Sequence, residues 1–465
     1  MDGDGAAGRR TGEPVARCGS ADRCALQPAP AGAGSRLAHP WPALISIERS
    51  IMLRRMSKNK KEAMGMLALM LPTTLLFLIL SGMDPTTLPL ASQPLPLGLP
   101  ATLGNFPIAA VIFYISMGLT GLVLALLPAT LSRKKTLLSG FLLLAVAALM
   151  GLFSRSLFEL CCWSLLGGIG CTMNICAWIS IGATYFPRHR AMVVGLMICL
   201  TAASNIVANK LSAIQHAINE QGKLPLLPAL AGMLIFVLLY ILIWHFFQQI
   251  SASGERRFIR PEARGPVGSV WSRGPLLLFL AAVCLPLSAG SFDYLYSTYM
   301  REILGFPIKT VEMAIGIAMS ATLLSPLGGW LGDRHGAMKT LLITLPLTAA
   351  IGGLVSLGWN LPVDILMLLV FLLGFGLTAV FYINILAALI ESVSPMQNMR
   401  AAGLFYVAFN LGIPVADLLF THLKERLGWT ALVLLQLVCP LMLATLLVWL
   451  AQRILKSDDK AVLPG

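Results

Sequence analysis

Apolar residues run along this chain in long blocks separated by short polar and basic stretches. A helix crossing the hydrocarbon core of a bilayer needs about 20 mostly apolar residues. On that measure the pattern predicts spans over 64–90, 103–127, 137–153, 159–183, 191–213, 226–248, 275–299, 310–331, 340–358, 363–390, 401–420 and 430–452. The first is the least regular, because Pro85, Pro89, Pro94 and Pro96 crowd its end. Lipid offers the backbone no hydrogen-bond partners, so apolar runs of this length must be helical. The expected fold class is therefore an all-α membrane protein of about 12 transmembrane helices.

Composition agrees. The 465 residues are 57% hydrophobic and 12% charged, with a mean hydropathy of +0.79. Soluble domains carry roughly 25% charged residues. The net charge of +13 could point to nucleic acid, but the basic residues sit in loops between apolar runs, where they set topology. One set of loops and both flanks hold 21 Lys and Arg, against six in the opposite set. That imbalance puts both termini in the cytoplasm, as an even number of spans also requires. Residues 1–57 read as a disordered extension rich in Gly, Ala, Pro and Arg, with Met52 or Met56 as a candidate start of the chain proper. Seven of the nine cysteines lie inside apolar runs; they read as small apolar fillers, with no disulfide framework, metal site or cofactor expected.

The chain also repeats itself. Pro187 and Gly195 are eight residues apart, as are Pro395 and Gly403, and both pairs match at an offset of 208. Leu97-Gly98-Leu99-Pro100 matches Leu304-Gly305-Phe306-Pro307, and Asp84 matches Asp293, at offsets of 207 and 209. The reading is a six-helix bundle over 58–250, a basic linker over 251–274, a second six-helix bundle over 275–455 and a short tail over 456–465. Six helices per repeat is even, so the halves run parallel, and a solute site belongs at their interface near the midplane.

With these features in place, the chain resembles the major facilitator superfamily. The strongest residues run from Gly329 to Lys339, Gly-Trp-Leu-Gly-Asp-Arg-His-Gly-Ala-Met-Lys, between spans eight and nine. They are similar to that family's cytoplasmic-loop motif G-x-L-x-D-R-x-G-x-x-[RK]. The resemblance implies two six-helix bundles rocking about a central site. It also implies a cytoplasmic gate at Gly329, Asp333, Arg334, Gly336 and Lys339. Asp333 can accept hydrogen bonds from a helix N-terminus or pair with a neighbouring arginine such as Arg400. The corresponding loop between spans two and three departs from the motif. There Pro128 stands for the first Gly, Ser132 for Asp and Lys135 for the second Gly, so the carboxylate is missing. The fifth span carries Asn205, Asn209 and Lys210 instead of the Gly-Pro-rich pattern of the family's drug antiporters.

A charge at the bilayer centre costs about 2.5–3.5 kcal/mol on insertion scales, so each one needs a reason. Asp84, Asp293 and Asp417 are the candidates for carrying a coupling proton, because a low-dielectric setting favours the protonated carboxyl. Lys210 is the candidate anion-attracting group. Asn205 and Asn209, four apart on the same span, share one helix face, and Asn174, Asn384, Asn410, Tyr294 and Tyr296 complete the candidate solute contacts. Each has a plain alternative: asparagines also bond neighbouring helices, and tyrosines near span ends anchor at the interface.

The expected function is secondary active transport of a small polar metabolite, with an organic anion favoured by Lys210 and protons as the coupling ion. A proton-driven exporter and a transporter-like solute sensor are the rivals. No HExxH, P-loop or GxSxG motif is found, so neither an enzyme nor an ATP-driven pump is expected. The expected partners are a small molecule and the lipid bilayer, without nucleic acid, for a monomer in a bacterial inner membrane.

Overall fold

The computed structural model describes residues 102–103, 106–128, 131–153, 156–203, 269–291, 296–357 and 361–462. The predicted spans one and six, and the candidate residues Asp84, Asn205, Asn209, Lys210, Asp293 and Tyr294, lie outside these residues.

A two-residue antiparallel bridge, β1 (Thr102–Leu103) with β2 (Phe106–Pro107), precedes α1 (Ile108–Leu126). Then come α2 (Arg133–Phe153), α3 (Leu157–Tyr185) and α4 (Arg190–Ala203). The second half contributes α5 (Arg273–Ser291), α6 (Ser297–Glu302), α7 (Ile308–Ser320), α8 (Ser325–His335) and α9 (Ala337–Ser356). It ends with α10 (Val363–Gly374), α11 (Tyr382–Glu391), α12 (Asn398–Leu427) and α13 (Trp429–Val462). A 3-10 turn over Ala321–Leu324 joins α7 to α8, and a π-helical stretch over Phe375–Phe381 joins α10 to α11. Among the described residues, eight helical segments are long and apolar enough to cross a membrane.

Local sequence explains several boundaries. Ser156 and Glu159 form a reciprocal capping box at the start of α3. Gly336 (φ 90°) and Gly428 (φ 72°) are the sole residues between α8 and α9 and between α12 and α13. A left-handed φ at so tight a corner suits glycine. The apolar runs under-measured the last two spans, because α12 continues through Lys424 and Arg426 and α13 continues past Arg453. Polar residues extend a helix beyond the bilayer without breaking it. On the predicted seventh span, α5 is described as far as Ser291, and Tyr299 lies on the helical turn α6.

Large apolar side chains such as Ile343, Leu142 and Phe158 stand more than 60% exposed on the outside. That inversion is natural where lipid is the solvent. Inside, α3 packs on α1 and α2, α5 on α12 and α13, and α9 on α13. The two halves meet where α12 packs on α1 and α3.

Candidate functional site at the junction of the two halves

Among the described residues, glycine sets two of the helix crossings that join the halves. A methyl group placed on Gly121 of α1 would lie 2.6 Å from the carbonyl oxygen of Gly403 on α12, and one on Gly403 would lie 2.6 Å from that of Gly121. At the other crossing, a methyl on Gly195 of α4 would meet the Ser325 carbonyl, and one on Gly329 of α8 would meet the Ala191 carbonyl. Gly121 and Gly329 are 208 residues apart, as are Gly195 and Gly403. The crossings are thus repeat-related copies of one contact. Backbones can come this close only where no Cβ intervenes.

Polar groups complete each crossing differently. The Ala191 N–H donates to Oδ1 of Asp333 at 3.0 Å, and the Met192 N–H donates to Oδ2 at 2.9 Å. These are unpaired amides in the first turn of α4, the positive end of its dipole. One carboxylate therefore caps a helix that belongs to the other half. Arg190 and Asp333 are also charged neighbours of Glu391 at the end of α11.

At the α1–α12 crossing the offset of 208 places Ala125 opposite Asp333 in the repeat. The backbone carbonyl of Ala125 does the accepting there, from Nε of Arg400 at 2.9 Å. A cation thus meets the C-terminal end of α1, again a favourable dipole arrangement. This register corrects the one expected from sequence. Gly121, not Pro128, corresponds to the first motif glycine, Ala125 rather than Ser132 takes the aspartate position, and Pro128 falls at the second glycine. The connection between α1 and α2 is also longer than the single Gly336 of its counterpart, which hid the match. Arg133 ties the halves further: Nη2 donates to the Pro395 carbonyl of the second half while Nη1 donates to Thr184 Oγ1 of its own half, both at 2.9 Å. Asn398 donates to the same Thr184 hydroxyl at 3.4 Å, and Gln397 Oε1 accepts the Val270 N–H at 2.9 Å.

The comparisons with known proteins fit this geometry. The family model of the Major Facilitator Superfamily matches residues 63–325 and 313–463. The chain belongs to that superfamily. It is accordingly an integral, multi-pass membrane protein of a transporter family, with the superfamily's two bundles of six helices. No curated protein matches it in sequence. Solved structures similar to it include the superfamily transporter FucP in its outward conformation (13% identity, TM-score 0.60, covering 83% of this chain and 98% of that one). The human organic anion transporter MFSD10 (TETRAN) is similar at 17% identity and TM-score 0.60, over 82% and 98%. A bacterial homologue of the iron transporter ferroportin, outward-facing, is similar at 16% identity and TM-score 0.57, over 85% and 99%.

Within this superfamily member, the other candidate residues fall in several places. Arg334 is exposed and lays its guanidinium 5.2 Å from the Trp330 ring centroid, away from the crossing itself. Lys339 is exposed on the first turn of α9. Asn384 is fully buried and donates to the Gly328 carbonyl at 3.1 Å and the Val380 carbonyl at 2.9 Å, tying α11 to α8. Asn174 donates to Gly170 of its own helix at 3.0 Å and packs where a Gly140 methyl would sit. Asn410 donates to the Tyr406 carbonyl at 3.0 Å, and Asp417 is buried on α12. Tyr296 reaches the Val355 carbonyl at 3.5 Å and Tyr299 the Ser356 carbonyl at 3.0 Å, so both clip the end of α9.

Sequence reasoning missed two features. The 3-10 turn and the π stretch face each other, pinned by Thr322 Oγ1 donating to Thr378 Oγ1 at 3.0 Å. Irregular helix turns in the middle of spans are common at functional positions. Just beyond the π stretch, the hydroxyls of Tyr382 and Tyr406 are 3.0 Å apart. Both tyrosines lie inside apolar runs, where nothing in the pattern separates them from ordinary core aromatics.

Proposed function

We propose that this chain is a secondary active transporter that moves a small polar metabolite, an organic anion, by alternating access with protons as the coupling ion. The observation that carries this reading is the pair of repeat-related crossings, both closed on the face that bears Lys339. The charge imbalance assigns that face to the cytoplasm. Closure there rests on glycine contacts and a handful of hydrogen bonds, an assembly that can be released for a few kcal/mol. Breaking both crossings together opens the interior to the cytoplasm; keeping them leaves it open only to the outside. Asp333 and Arg400 are the two hinge-side locks, with Gly329 and Gly336 shaping the backbone around the first.

The solute is read by Lys210 with Asn205, Asn209, Tyr294 and Asn410. Asn384, Asn174 and Tyr296 spend donors on helix packing and contribute less. Asp84, Asp293 and Asp417 are the proton carriers. The chain works as a monomer in a bacterial cytoplasmic membrane.

Uptake of a labelled metabolite panel into proteoliposomes with an imposed proton gradient tests this. At least one organic anion should accumulate, and a protonophore should abolish the accumulation. Asp84→Asn and Lys210→Ala should each reduce it. Accumulation that ignores the gradient removes the proton coupling, and normal rates in both variants remove these residues from the site.

A further inference from the structure

The Tyr382–Tyr406 hydroxyls bond each other and make none of the hydrogen bonds between the halves described above. At the offset of 208 its members correspond to Asn174 and Ile198, so the fold does not demand two phenols here. Around them the structure builds an aromatic wall. The Tyr382 ring meets Phe405 and Phe409 edge-on, with centroids 4.9 and 5.0 Å away, and Phe405 meets Tyr406 at 5.5 Å. Cys176 of α3, in the other half, neighbours both phenols. Tyr406 also touches the closest crossing: its Cβ would lie 3.3 Å from a methyl on Gly121. Tyr406 is 3% exposed and Phe405 fully buried, yet Tyr382 and Phe409 keep part of their surface open. These two partly open rings leave aromatic surface for a solute to lie against.

The chemistry of the pair is specific. One hydroxyl donates to the other, which leaves the acceptor's own proton free. Among the described residues neither hydroxyl has a second hydrogen-bond partner. In a core with no further task, two phenylalanines would serve nearly as well, since replacing both members of a buried pair with apolar groups is close to neutral. A relay of the form O–H to O–H to acceptor is strengthened when its end meets an anion in a low-dielectric setting.

We propose that the Tyr382–Tyr406 hydroxyl pair is a solute-reading site for the carboxylate of an aromatic organic anion, whose ring lies against Tyr382 and Phe409. This deepens the anion-transport reading and rests on it. Because Tyr406 sits beside the Gly121–Gly403 crossing, solute held here is in a position to bias that crossing directly.

The test uses the full-length purified protein and the paired probes benzoate, cyclohexanecarboxylate and benzyl alcohol, read as shifts in thermal unfolding and as competition for uptake in proteoliposomes. Benzoate should stabilise the protein and compete. Cyclohexanecarboxylate should do so more weakly, and benzyl alcohol should not. Tyr382→Phe and Tyr406→Phe, which keep the ring packing, should each weaken the benzoate effect by about tenfold or more; each lowers the unfolding temperature without probe by stranding one hydroxyl, whereas the double variant loses the benzoate effect with the unfolding temperature little changed. Either of two results overturns the proposal: benzoate without effect on the unmodified protein, or an effect that survives both substitutions. If the protein still moves another solute with unaltered KM in both variants, the transport reading stands and this site falls. If no panel member moves in the unmodified protein, the transport reading itself fails.

Discussion

Removing the Asp333 carboxylate should release the face that bears Lys339. Two backbone amides of the opposite half donate to it at 3.0 and 2.9 Å. A hydrogen bond to a charged group contributes about 1.5–3 kcal/mol, and the low end applies here because Met192 is exposed and Asp333 only half-buried. Asp333→Ala should therefore weaken closure by about 2–3 kcal/mol, a shift of roughly 30-fold or more in the equilibrium. Asp333→Asn keeps one acceptor and should cost about half as much in free energy. An open fraction of about 1% would rise to roughly a quarter in the alanine variant. Spin labels at Arg188→Cys and Met396→Cys, exposed positions on this face in different halves, report the change as a second, longer distance in a background free of native cysteines. Identical distance distributions with and without the Asp333 carboxylate would refute the assignment of Asp333 as a lock.

Three further expectations concern the crossings and the helix contacts around them. Gly329→Ala puts a methyl into the Ala191 carbonyl and should force the crossing apart, lowering transport. Gly316→Ala meets nothing within 4 Å and should stabilise the protein by about 0.5–1 kcal/mol through its helix propensity; thermal unfolding and uptake distinguish the two. Arg400→Ala should lengthen the same spin-label distances as Asp333→Ala, with Arg400→Lys recovering part of the loss because it keeps a cation at the end of α1. Tyr299→Phe should cost about 1 kcal/mol of stability and Tyr296→Phe less, given the longer bond; a raised KM in Tyr296→Phe would instead give Tyr296 a solute role.

Much of this was legible in the chain itself. Apolar run length located the described spans, because lipid imposes one simple requirement on every spanning helix. The offset of 208, read from Pro187, Gly195, Pro395 and Gly403, is the same offset that relates the two glycine crossings. Asp333 announced itself through a motif, and its role as acceptor for a helix N-terminus was one of the two readings open in advance. Its alternative partner, Arg400, bonds to Ala125 instead. What stayed hidden were contacts that depend on which helix faces which. Gly121 is one small residue among many until Gly403 is seen opposite. Thr184 gains meaning only from Arg133 and Asn398 arriving together. Asn384 carries the same polar signal as a solute contact, yet its amide goes to Gly328 and Val380. Composition and periodicity do not encode such pairings across hundreds of residues.

The central claim is that the crossings must open for solute to pass. Met192 and Asp333 touch across the halves, so Met192→Cys with Asp333→Cys, in a background free of native cysteines, should form a disulfide on oxidation. Solute uptake by the oxidised protein in proteoliposomes should stop and return on reduction. Uptake at the reduced rate with the disulfide formed would contradict the account.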